Sequence, residues 1–304
     1  MCSENHPKFL SGSVLWSPDG WLRIIGHVCA AKSDNFGEAR YRRMQREHEQ
    51  KELDDAALDL MEANIAAIPP LRRDVGALQS AMEFMEAQQR AMFSGVPALA
   101  TRLAEIARRG GGKLTIAREV SPIQLAAADG MAPGLSYRTP VERFEEFEVG
   151  VLSGGVFLDR STKFPRSRQV ESVKLALDMI PDGQGTDPLY KLIDAGGEHQ
   201  ITIVAITVLR AVDRALTLAD DYANAAAFVS KENLDALEYW GNHHDIDLPF
   251  SIKRTDREIV FKLQDLSRAR LSAAWPPIVS LSAWSRIAEA GATLASKARA
   301  NLPP

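Results

Sequence analysis

Hydrophobic positions change their spacing several times along the chain, and each change marks an element. Ser13-Val14-Leu15-Trp16 and Trp21-Leu22-Arg23-Ile24-Ile25 are short strand-like runs around Ser17-Pro18-Asp19-Gly20. Pro presets φ at the first central turn position, Asp accepts local backbone hydrogen bonds and Gly tolerates positive φ, so the stretch predicts a β-hairpin. From Phe36 the pattern becomes helical. Residues 38–55 are strongly polar, and Leu58, Met61, Ile65 and Ile68 then recur at the three-and-four spacing of a helical seam. Pro69-Pro70 is expected to stop that helix. A second seam follows with Leu71, Val75, Leu78, Met82, Met85, Gln89 and Met92. Ser94-Gly95-Val96-Pro97 breaks it, and Leu99, Leu103 and Ile106 mark a third helix ending at Gly110-Gly111-Gly112.

Beyond residue 112 strands reappear. Lys113 to Val120, Phe144 to Leu152 and Val156 to Arg160 read as strands, the last two forming a hairpin around Ser153-Gly154-Gly155, with a loop over 121–140. From Arg166 the chain is mostly helical. One helix carries Val170, Val173, Leu177 and Ile180, a short one runs from Asp187 to Ala195, and a long one carries a seam from Ile201 to Val229. Its other faces are also rich in Ala, Ile and Val, which predicts a central, buried helix. Ser230 suits the cap of the next helix. Leu248 to Lys253 and Glu258 to Leu263 make another hairpin, and Ile278 to Ala300 a final helix. The expected fold is α+β and predominantly helical. It divides into a hairpin module at 1–36, a coiled-coil-like helical arm at 37–112 and a mostly α C-terminal domain with short β-hairpins at 113–304. The arm is expected to fold as a helical hairpin about Pro69, or to self-associate by pairing its 71–92 helix with a copy in another subunit or with a protein partner. Ordinary core packing is the competing reading of its Met-rich seam.

Composition narrows the function. The chain has 304 residues, 45% hydrophobic and 25% charged, with 36 Lys+Arg against 40 Asp+Glu. These are the proportions of an ordinary globular protein. A net charge of -4 excludes a uniformly basic nucleic-acid binder but not a local basic patch. Residues 1–15 lack a basic start followed by an apolar core, so no secretory signal is expected. The longest apolar run, Ile201 to Leu209, is far short of the roughly 20 residues a membrane span needs. No lipidation box ends the chain. A cytoplasmic protein with reduced thiols is the expectation, with no membrane partner.

Both cysteines of the chain lie beside the first hairpin. Cys2 and His6 precede it, and His27 and Cys29 follow it. Tetrahedral zinc takes four thiolate or imidazole ligands, which this set supplies. A hairpin between two ligand loops, followed by a helix, resembles the treble-clef and zinc-ribbon class of small zinc modules. The resemblance covers about the first 40 residues and implies a structural Zn2+ held by Cys2, His6, His27 and Cys29. The pairs are spaced C-x3-H and H-x-C where the class uses C-x2-C, and His48 is an alternative to His27. The competing reading is that Cys29 is a small buried apolar residue and Cys2 is incidental.

Two further groups stand out. Arg160, Lys163, Arg166 and Arg168 form a basic stretch interrupted by Phe164 and Pro165, suited to phosphate or nucleic acid or simply solvated. His243, His244, Asp245 and Asp247 could supply divalent-metal ligands or acid/base groups, although adjacent histidines diverge on most backbones. There is no phosphate loop, dinucleotide fingerprint, nucleophile elbow or zinc-protease helix. Two function classes follow. The first is a non-enzymatic interaction or regulatory protein of bacterial or phage accessory type, with a structural zinc module that contacts nucleic acid or a protein. The second is a metal-dependent hydrolase or nuclease centred on His243, His244, Asp245 and Asp247.

Overall fold

A computed structural model describes residues 12–16, 22–26, 38–109, 111–119, 144–160, 164–243, 246–277 and 281–300. They form a predominantly helical α+β protein with short antiparallel strands. Strands β1 (Gly12–Trp16) and β2 (Leu22–Gly26) pair from Gly12↔Gly26 to Trp16↔Leu22, which is the expected first hairpin. No helix among the described residues is long and apolar enough to cross a membrane.

The described residues fall into two compact units, each assembled from separated stretches of chain. One takes the chain up to Ala66, Met179–Arg210 and the chain from Arg286; the other takes Ala67–Asp178 and Ala211–Ser285. The expected helical arm of 37–112 is thereby divided. Its first helix, α1 (Glu38–Asn64), belongs to the first unit, and α2 (Ile68–Gly95) and α3 (Pro97–Arg109) to the second.

In the first unit, α1 buries Leu53, Ala57 and Met61, and Ile65 of the following 3-10 turn continues the line. Leu58, expected on the seam, is only half-buried. Helix α5 (Asp187–Gly196) contributes Leu189 and Leu192, and α6 (Glu198–Ala226) contributes Ile201, Val204, Ala205 and Val208. The last helix, α8 (Ser285–Ala300), approaches α6 closely. A Cβ at Gly291 would lie 2.3 Å from the Leu209 Cβ, so this crossing needs glycine.

In the second unit α2 is the central rod. Pro69 and Pro70 sit in its first turn, where a missing N–H costs nothing, and the chain before them tightens into a 3-10 turn, Ile65–Ala67. Its stripe of Leu71, Val75, Leu78, Met82, Met85 and Met92 is buried. The stripe packs on α4 (Arg166–Leu177) and strand β7 (Arg268–Ser272), so the Met-rich seam is core. At Gly95 the backbone of α2 reaches β7, where an added Cβ would lie 2.4 Å from the Arg268 carbonyl oxygen.

Three expectations need correction. Val156 to Arg160 is not a strand. Strand β4 (Phe144–Val151) pairs instead with β3 (Lys113–Glu119), from Lys113↔Val151 to Glu119↔Phe144, and Gly155–Leu158 forms one helical turn. The cause is burial: consecutive Phe157 and Leu158 are both inaccessible, which a half-exposed strand cannot achieve. Gly154 makes the turn at φ 76°, with the Phe228 backbone nitrogen 2.3 Å from where a Cβ would stand. Second, α6 is not buried all round, because Ile203, Arg210, Asp213, Arg214 and Asp220 give it an exposed face. Third, the hairpin of β5 (Phe250–Arg254) and β6 (Glu258–Leu263) carries β7 as a further strand whose five residues alternate in burial. The remaining helix, α7 (Lys231–Gly241), begins as expected at Ser230, whose hydroxyl accepts from the Asn233 amide. Arg254 holds β5 to α7 with its fork on Asp235 (2.6 Å) and Glu238 (2.7 Å).

Aromatic rings fill the space between these elements. Phe157 stacks on Phe228 at 4.7 Å, and Trp275 contacts Phe84, Phe157 and Tyr222. The Tyr222 hydroxyl donates to the Pro276 carbonyl at 2.7 Å. Burial pushes this phenol up to about 12 from its ordinary 10. A raised value means that its stabilising contribution is whole below pH 10 and is lost as the pH climbs through 12. We expect the urea midpoint to fall between pH 10 and 12, and to fall less in Tyr222→Phe. An equal decline in both proteins would place the alkaline sensitivity elsewhere.

Candidate nucleic-acid interface

The described ends of the basic stretch are held against α2. Gln89 sits on the apolar seam and spends its amide on the Phe157 and Asp159 carbonyls, both at 3.0 Å. One turn earlier, Glu86 accepts from the Ser167 backbone N–H at 2.9 Å and its hydroxyl at 2.8 Å. One turn later, the Arg160 guanidinium lies 4.9 Å from the Phe93 ring centroid, a cation–π geometry. Glu86 thus holds residue 167, while Gln89 and Phe93 hold residues 157–160, so α2 ties down both described ends of the stretch.

The four predicted basic residues do not act alike. Arg166 turns inward, its side chain 7% exposed. Its Nε donates to Asp221 at 2.9 Å and its Nη2 lies 3.5 Å from the Asp159 carboxylate. Two carboxylates compensate the charge, so Arg166 is a structural tie and is withdrawn from any surface ligand. Arg160 and Arg168 are exposed, and Lys163 lies outside the described residues. Phe164, between them in sequence, is 55% exposed. Arg90 is exposed on α2 one turn before Phe93. Among the described residues Arg90, Arg160 and Arg168 carry no ion pair. Arg90 and Phe93 were not apparent from the sequence, because helix phase alone does not show which neighbour lies over them.

Cys2, His6, His27 and Cys29 all lie outside the described residues, as do His244 and Asp245. His48 makes an exposed pair with Glu52 on α1 at 3.3 Å. His243 lies in the turn after α7, where its backbone N–H donates to Trp240 and its carbonyl accepts from Ile246. Asp247 is exposed. Among the described residues no three His, Cys, Asp or Glu side chains gather as a cation site.

The first unit holds a polar cluster with no sequence signal. Asp54 is buried and accepts from the Gln50 amide (2.8 Å) and the Thr202 hydroxyl (2.5 Å), with His199 Nδ1 at 3.5 Å. Gln50 also reaches His199 Nδ1 at 2.9 Å. Asp54 stands over one wall of a cleft of about 510 Å³, lined by Arg43, Arg46, Glu47, Gln50, Lys51, Asp54 and Glu198. Three cations and three carboxylates line it, so it is not a polyanion site.

No family model matches the chain, and no curated protein or solved structure is significantly similar to it.

Removing the inward arginine tests its structural role. Arg166→Ala would leave Asp159 and Asp221 facing an unpaired site and should cost about 3–5 kcal/mol in urea unfolding. A loss below about 1 kcal/mol would show the pair to be dispensable.

Proposed function

We propose that the protein is a non-enzymatic interaction protein of regulatory type. The face formed by α2, Arg160 and residues 164–168 contacts single-stranded nucleic acid, and a structural zinc organises the N-terminal hairpin module. The observation that carries the reading is a group of exposed arginines with no ion pair among the described residues, Arg90, Arg160 and Arg168, together with the half-buried Phe93 ring under Arg160 and the exposed Phe164 ring. Guanidinium groups neutralise phosphates, and an exposed ring offers a stacking platform that tolerates any base. The tie at Arg166 supports the same reading, since it fixes the backbone from which Arg160 and Arg168 project.

Fluorescence anisotropy with a labelled oligothymidylate of about 20 nucleotides tests it. Affinity should fall steeply with salt. Arg160→Ala and Arg168→Ala should each flatten the log–log salt slope by roughly 0.7. Phe164→Ala should weaken binding by about tenfold with the slope unchanged. Salt-independent binding, or none, would overturn the nucleic-acid reading and leave a protein partner.

The zinc is tested separately. Purified protein should carry about one zinc per chain. Cys2→Ser and Cys29→Ser should lose it, as should replacement of His6 or His27. Variants that keep their zinc would remove Cys2, His6, His27 and Cys29 as its ligands.

A further inference from the structure

Along α1, exposed residues one helical turn apart carry alternating charge: Arg43, Glu47, Lys51 and Asp55. Arg43 donates to Glu47 at 2.8 Å, which uses the first two. Lys51 and Asp55 carry no ion pair among the described residues. Exposed Met44 adjoins the line, 43% accessible. Arg43, Glu47 and Lys51 also line the cleft of about 510 Å³, which leaves room beside the line.

The order of signs has a symmetry. Reversed about Glu49, the line maps Arg43 onto Asp55 and Glu47 onto Lys51, each position onto its opposite. We propose that this face docks a second copy of the chain, with the two α1 helices antiparallel about a two-fold axis near Glu49. Arg43 of each copy then faces Asp55 of the other, and Glu47 faces Lys51, so every pair forms twice. A parallel arrangement would oppose like charges at all four positions. The same patch serves both copies, as closed two-fold association requires. The arginines at 40, 42, 43 and 46 precede the acids at 47–62, an order that runs against the helix dipole. An antiparallel neighbour brings acids beside the arginine end and bases beside the acidic end. The proposal is independent of the nucleic-acid face, which uses other helices.

Two charge-reversed variants of the full chain provide the test. R43E/K51E makes the line wholly acidic, and E47K/D55K makes it wholly basic. All four residues are exposed, so folding should survive, and circular dichroism with thermal unfolding checks this. By sedimentation velocity the wild type should self-associate, more weakly as salt rises from about 50 to 500 mM. Each variant alone should associate about tenfold more weakly or less, and an equimolar mixture should recover the lost association. A wild type that stays monomeric at low salt overturns the proposal. So do variants that associate as the wild type does, or a mixture of folded variants that recovers nothing.

Discussion

A guanidinium withdrawn from water must be met by carboxylates, and the arrangement around Arg166 follows from that demand. Asp159 comes from the turn after Gly155–Leu158, Asp221 from α6, and Arg166 opens α4. One charge therefore fixes three stretches of chain. Glu86 and Gln89 of α2 complete the frame by bonding backbone groups of the same segment. The neighbouring cations are displayed because this one is not. A flexible basic loop would lose conformational entropy on binding, whereas Arg160 and Arg168 adjoin residues already held in folding at Asp159, Arg166 and Ser167.

Apolar packing surrounds this polar frame. The stacked Phe157 and Phe228 lie beside Asn233, whose side chain accepts from the Ser153 N–H at 2.7 Å and donates to the Phe228 carbonyl at 2.7 Å. Gly154 is left no space for a side chain. Between them Gly154, Asn233 and Phe157 convert a stretch of strand-like composition into a helical turn. Without that turn Asp159 would not be delivered to Arg166.

What could be read in advance follows from the range of the interactions concerned. The α2 stripe, the cap at Ser230 and the two hairpin turns are set by residues within a few positions of one another, and periodicity finds them. The pairing of β3 with β4 crosses more than twenty residues of chain, and Val156 to Arg160 offered a nearer partner with the same composition. At the candidate site the basic stretch was visible as composition. Its division into one inward and two outward arginines was not, because it depends on Asp221, far away in sequence. The Asp54, Gln50, His199 and Thr202 cluster was likewise invisible, joining α1 to α6 through single polar side chains that no spacing rule marks. The near-neutral net charge concealed most. On α1 it is the sum of opposed signs in an ordered line, and their order carries information that their total erases.

The interleaved course of the chain bears on its synthesis. Neither unit is a continuous stretch: the first closes only with residues beyond Arg286, and the second lacks Ala211–Ser285 until most of the protein has left the ribosome. A nascent chain of two hundred residues therefore holds two incomplete cores, with the α2 stripe awaiting β7. Until β7 is made, the stripe has only α4 to pack on, and apolar surface left open in this way favours aggregation of the incomplete chain. A cut between Ala67 and Ser285 separates segments of both units, whereas one before Ala67 or after Ser285 breaks only the first.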